Sequence, residues 1–131
     1  MCHEHALYEK ANYTFDGKKE ALRTHLFGPD PACYCLVAET SSGLIGYTTY
    51  MKQFSTWDAY YYVYMCCLFL RPEARGLSIG LELMDRIKDY AQANGCPEIQ
   101  WQTPVHNSRA ISFYDRNGGV SLDKKRYTLT L

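Results

Sequence analysis

Four residues in the run Leu70-Arg71-Pro72-Glu73-Ala74-Arg75-Gly76-Leu77-Ser78-Ile79-Gly80 have the types and spacing to bind an anion: Arg75, Gly76, Ser78 and Gly80. The run joins an apolar, strand-like segment to an amphipathic, helix-like one. A helix opening leaves backbone amides unpaired and carries the positive end of the helix dipole. Small side chains at Gly76, Ser78 and Gly80 let phosphate oxygens approach the main chain, and Arg75 adds a full charge, so the run predicts a pyrophosphate cradle. No Gly-Lys-Ser/Thr follows, which excludes a Walker loop, and the preceding strand does not open a strand-helix-strand unit, which disfavours a dinucleotide fingerprint. A glycine-containing connection with no ligand is the plain alternative.

A second group lies about thirty residues downstream, in Asn107-Ser108-Arg109-Ala110-Ile111-Ser112-Phe113-Tyr114. Asn107 can cap a helix and bind a polar group, Ala110 leaves room for a slender ligand arm, and Phe113 turned into the core places Tyr114 at a cleft. A phenol has an unperturbed pKa of about 10 and a thiol one of about 8.5, so Tyr114 can protonate a leaving thiolate only from close range, with help from transition-state charge. The bland alternative is a Phe-Tyr pair packed on a helix face.

Other reactive residues give less. Cys2, Cys33, Cys35, Cys66, Cys67 and Cys96 form no C-x-x-C pair and read as small core hydrophobes in a reducing compartment. His3 and His5 are two apart, on different sides of a helix, while His25 and His106 stand alone, so no metal site is expected.

These residues need elements to position them. Glu4 to Lys10 reads as the end of a helix, and Lys18 to Phe27 as a second helix started by Asp16 and stopped before Gly28-Pro29. Cys33 to Glu39 and Leu44 to Gln53 are β-rich runs joined by Thr40-Ser41-Ser42-Gly43 into a hairpin, and Ala59 to Leu70 is a long third run. From Ser78 to Asn94 the residues Ile79, Leu83, Met84, Ile87 and Ala91 form one helical stripe, with Gly95 as its stop. Glu98 to Thr103 then predicts a strand, Ser108 to Asn117 a short helix, and Arg126 to Leu131 a final strand. At 131 residues without repeats or linkers the chain, residues 1–131, is expected to be a single α/β (α+β) domain.

Acidic and basic residues balance at 14 each, so net charge points to neither nucleic acid nor an anionic membrane as partner. No apolar run approaches a membrane span and the first residues lack a signal-peptide pattern, so a cytoplasmic protein is expected.

Together, the Arg75 to Gly80 run and the Asn107 to Tyr114 run resemble the two acyl-CoA signatures of the GCN5-related N-acetyltransferase (GNAT) superfamily, Arg/Gln-x-x-Gly-x-Gly/Ala and Asn-x-x-Ala-x-x-Phe-Tyr, with Ser78 in place of the first signature glycine. The resemblance covers nearly the whole chain and implies a mixed, mostly antiparallel central sheet flanked by helices. It implies acetyl-CoA as co-substrate, no metal, pantetheine contacts at Leu68, Phe69 and Leu70, and the Leu68 amide facing the developing oxyanion. By the same token, Arg75, Gly76, Leu77, Ser78, Ile79, Gly80 and Leu81 hold the pyrophosphate, Asn107, Ser108, Arg109 and Ala110 bind further along the cofactor, and Tyr114 protonates the departing sulfur.

Tyr8-Glu9, His25-Leu26-Phe27-Gly28 and Phe54-Ser55-Thr56-Trp57 are similar to the diamine and polyamine N-acetyltransferase branch, which implies that Tyr8 and Glu9 contact a small primary amine. An aromatic face beside a carboxylate suits an ammonium group. Relatives carry an acidic pair where this chain has Cys66 and Cys67, and strand alternation is expected to aim Cys66 at the substrate. An amine with a pKa near 10.4 is neutral in roughly one molecule per thousand at pH 7, so proton removal needs a route; water, Tyr62, Tyr64 and Glu9 are the candidates. Matching Tyr8-Glu9 to the family leaves out the usual first strand, and contacts in a homodimer would cover the sheet edge so exposed. Three other readings stay open: a catalytically weakened or non-catalytic acyl-CoA-binding or regulatory domain, an acetyltransferase for an amino acid or protein amine, and a covalent acyl carrier at Cys66.

Overall fold

The computed structural model describes residues 1–131. The elements run α1 (Cys2–Tyr8), α2 (Lys18–Phe27), β1 (Tyr34–Thr40), β2 (Gly43–Ser55), β3 (Tyr60–Leu70), a 3-10 turn (Pro72–Ala74), α3 (Ile79–Ala93), β4 (Ile99–Trp101) and α4 (Ser108–Arg116). The four strands form one sheet in the order β1-β2-β3-β4, antiparallel across the first three and parallel between β3 and β4.

The core lies between the sheet and α3. Leu83, Met84, Ile87 and Ala91 recur at helical spacing and are buried. Ile87 and Ala91 pack with Val63 and Met65 of β3 and Tyr50 of β2. Asn94 and Gly95, φ +65°, end the helix with capping bonds back to Tyr90, Ala91 and Gln92.

The helix starts differ from expectation. Asp16 caps nothing: the residue before α2 is Gly17 at φ +66°, a left-handed conformation that glycine adopts without steric cost. Ser78, before α3, is also left-handed at φ +61° and its hydroxyl makes no capping bond.

Two further differences shape the site. The strand expected from Arg126 to Leu131 does not form; residues 120–131 have no regular structure and are exposed. Alternating apolar residues define a strand's faces, but a strand persists only where a neighbour takes its backbone hydrogen bonds, and this segment has none. The second difference is a bulge in β3. Thr49 pairs with Cys67 and Tyr50 with Met65, so Cys66 is an extra residue without a partner. Val63 and Met65 therefore share the α3 side with Leu68 rather than with Cys67.

Candidate active site

β3 and β4 pair only over Val63 to Met65 and Ile99 to Trp101. Beyond that point the strands diverge, and a cleft of about 380 Å³ opens. One wall is Leu68, Phe69 and Leu70, the far wall is Thr103, Asn107, Ala110, Phe113 and Tyr114, and the floor is the turn into α3.

The turn has the geometry of an anion cradle. Consecutive amides from Gly76 to Leu81 donate to no backbone carbonyl or side chain; the first intrahelical donor is Glu82, to Ser78. Gly76 sits at φ +82° with open space where a Cβ would stand, and a Cβ on Gly80 would lie 3.4 Å from both Leu70 and Phe113. Small residues and free donors at the positive end of the 15-residue α3 fit a pyrophosphate. Arg75 is turned back, its Nε donating to the Leu70 carbonyl at 3.1 Å and its guanidinium lying 4.5 Å over the Tyr8 ring.

Tyr8 spans the cleft. Its hydroxyl donates to Asn107 Oδ1 at 3.1 Å, and the same oxygen accepts from the Ala110 amide at 3.3 Å, capping α4. The ring face expected for an ammonium is thus taken by Arg75, and the neighbouring carboxylate is Glu9, which also lines the cleft.

Tyr114 packs on Trp101 and Phe113, ring centroids 5.1 and 5.4 Å away. Burial first, then the nearby charge of Glu9, pushes its pKa up to about 12. The phenol is protonated at neutral pH and is a weaker acid than in water.

The cleft gathers Tyr8, Glu9, Leu68, Phe69, Leu70, Arg75, Gly76, Ser78, Ile79, Gly80, Leu81, Asn107, Arg109, Ala110 and Tyr114 of the residues expected from the sequence. It does not gather Leu77, which is 64% exposed, or Ser108. Cys66 lies outside it as well: it is the unpaired bulge residue of β3, and its side chain is exposed. Desolvation and the neighbouring Cys67 and Cys33 push the Cys66 thiol up to about 11, the wrong direction for a nucleophile. Sequence reasoning missed Thr103, Phe113, Arg116 and Asn117 as cleft residues. A signal existed for two of them, because Arg109, Phe113 and Arg116 stand at i, i+4 and i+7 on α4. The Phe54 to Trp57 segment lies apart from the cleft, against a separate recess with Asp58, Tyr62, Gln100 and Lys124.

An unpaired helix opening, the end of β3 and a protonated phenol thus line one cleft. The chain belongs to the acetyltransferase (GNAT) family, whose pattern matches residues 3–119, and it is an N-acetyltransferase. It is 31% identical over 130 residues to a thialysine N-epsilon-acetyltransferase of Bos taurus, covering 93% of this chain and 76% of that one. A human spermidine/spermine N(1)-acetyltransferase-like protein 1 is 26% identical over 106 residues, 76% of this chain and 15% of that one. The fold matches that of an aminoglycoside acetyltransferase from an uncultured soil metagenomic sample, with a TM-score of 0.80 at 18% identity over 98% of this chain and 83% of that one. No helix is long and apolar enough to cross a membrane, and no group of His, Cys, Asp or Glu side chains is arranged to hold a metal ion.

Proposed function

We propose that the protein transfers the acetyl group of acetyl-CoA to a primary amine of a small molecule, of the diamine, polyamine or thialysine type, by direct attack in a ternary complex. The observation that carries the reading is the row of unpaired amides from Gly76 to Leu81 at one end of a cleft that has Glu9 and Tyr114 along its walls. Acetyl-CoA supplies the acyl group as a thioester. Gly76 to Leu81 hold its pyrophosphate, with Arg109 and Arg116 on the facing helix adding charge. Glu9 receives the substrate ammonium and takes its proton. The free amine attacks the thioester carbonyl, whose oxygen faces the Leu68 amide; the C–N bond forms, the C–S bond breaks, Tyr114 donates its proton to the departing sulfur, and the surplus proton on the new amide nitrogen passes back through water to the Tyr114 phenolate.

We place the enzyme in the cytoplasm as a homodimer. Supporting the dimer, Val120, Leu122, Tyr127, Leu129 and Leu131 all lie exposed along the C-terminal segment, an apolar surface that a second copy would cover; light scattering giving a monomer mass removes that part.

The test is release of free thiol from acetyl-CoA in the presence of thialysine, spermidine, short diamines and free amino acids. Turnover with thialysine or a polyamine supports the reading. Acetyl-CoA binding without turnover on any of these amines would overturn the small-molecule acceptor and move the reading to another amine, such as that of a protein.

A further inference from the structure

His5 is 8% exposed and sits in a wall otherwise built from rings, stacked on Phe69 at 5.0 Å and 25° and edge-on to Tyr47 at 5.8 Å. A buried imidazole costs desolvation unless both nitrogens find partners. Both do here. Nδ1 is 2.9 Å from the Tyr47 hydroxyl, and Nε2 is 3.3 Å from Oε1 of Glu9, the residue that follows α1.

The chemistry of the neighbours fixes which nitrogen carries the hydrogen. A carboxylate only accepts, so the ring nitrogen facing Glu9 calls for a hydrogen, and the Tyr47 phenol, 2.9 Å from Nδ1, has a hydrogen to give there. With Tyr47 donating to Nδ1, the ring hydrogen stands on Nε2 and is donated to Glu9. The opposite tautomer would turn a ring lone pair toward the Glu9 carboxylate. Other ionisable groups near this line are Cys2 of α1 and Cys67 of β3, both beside Tyr47, and Tyr114 of α4, beside Glu9.

We propose that His5 is a positioning residue for Glu9: in a Tyr47–His5–Glu9 chain it holds one carboxylate oxygen by an Nε2–H bond, leaving the other directed into the cleft for the substrate ammonium. The proposal rests on the reading of Glu9 as the amine receptor. It gives β2 a part in substrate binding, since Tyr47 sits 42 residues from His5 and never reaches the cleft itself.

Two variants and one spectroscopic measurement test it. His5→Leu fills the same apolar wall without a donor, whereas His5→Gln keeps an N–H within reach of Glu9. The expected result is that His5→Leu raises KM for the accepted amine about tenfold while acetyl-CoA affinity and melting temperature stay near wild type, and that His5→Gln recovers most of the amine KM. A purely packing role predicts the reverse order, with leucine the better replacement. Equal behaviour of the two variants, whether both impaired or both like wild type, overturns the proposal. Long-range nitrogen–proton NMR on the wild type is expected to show the Nε2–H tautomer of His5, and a mixture of tautomers in Tyr47→Phe. A wild-type Nδ1–H tautomer overturns the proposal whether or not an amine is turned over. Absence of turnover on every amine removes the reading of function and leaves the tautomer to decide the hydrogen-bond chain.

Discussion

The two ends of the cleft are built in different ways. The end at the opening of α3 is one stretch of backbone: from Gly76 to Leu81 the free donors are consecutive amides, and what matters in the side chains is mainly that they are small. The end where Glu9 stands, proposed to receive the amine, is assembled from distant parts. Tyr8 reaches Asn107 across 99 residues, His5 reaches Tyr47 across 42, and Glu9 takes its surroundings from α1, β3 and α4. A site made of contiguous main chain survives many changes of side chain as long as none of them intrudes. A site made of side chains on separate elements depends on each of them, and can be rebuilt with different residues in different relatives.

Intrusion at the anion end should therefore have the largest effect. Gly80→Glu places a Cβ 3.4 Å from Leu70 and Phe113 and drives a carboxylate toward the phosphates. Loss of acetyl-CoA affinity by about a hundredfold or more is expected, from like-charge repulsion added to the steric block. Calorimetry showing wild-type affinity would move the cofactor elsewhere and erase the contrast between the two ends.

Tyr114→Phe keeps the packing on Trp101 and Phe113 and removes only the hydroxyl. A fall in kcat on the order of a hundredfold at unchanged acetyl-CoA affinity is expected for a general acid. Wild-type turnover would return Tyr114 to the core and leave the sulfur to be protonated by solvent. The same substitution has a signature in stability. A free phenol ionises near pH 10, whereas folded Tyr114 does so at about 12. The unfolded chain therefore sheds this proton first, and the stability held below pH 10 is lost as pH rises toward 12. The alkaline fall in melting temperature should be shallower in Tyr114→Phe, with the remainder carried by groups such as Tyr47, whose pKa burial raises in the same direction.

The smallest effect is expected at Ser78. Its φ of +61° costs a non-glycine residue about 1 kcal/mol, and Ser78→Gly relieves that while adding about 0.5–1 kcal/mol of unfolded-state entropy. Denaturant unfolding should show a net change under about 0.5 kcal/mol, with acetyl-CoA affinity retained. A larger loss would mean that the serine hydroxyl has a partner in the loaded enzyme, and that the anion end is not made of main chain alone.

The contrast also explains what could be read in the chain before its fold was known. The stripe Leu83, Met84, Ile87, Ala91 is periodic in the sequence, and a buried helix follows from it locally. The cradle was legible for the same reason, because a helix opening with small residues is a property of neighbours in sequence. Cys66 was misplaced because alternation holds only while pairing stays in step, and the extra residue between Met65 and Cys67 is set by the partner strand. The strand at Arg126 to Leu131 failed for a related reason, since its alternation is real but no edge pairs with it.

His5 is the sharpest case. In sequence it is one of four scattered histidines, two residues from His3 and without a metal-ligand pattern. Only the packing of α1 on the sheet sets its ring between Tyr47 and Glu9, while His3 goes to Tyr13 and Phe15. The sequence by itself determined the core stripe and the small-residue opening of α3, because each rests on residues that are neighbours along the chain. The tertiary structure alone decided that Glu9 and Tyr114 line one cleft, that Tyr47 meets His5, and that Cys66 lies outside the cleft, because those depend on strand register and on contacts between elements distant in sequence.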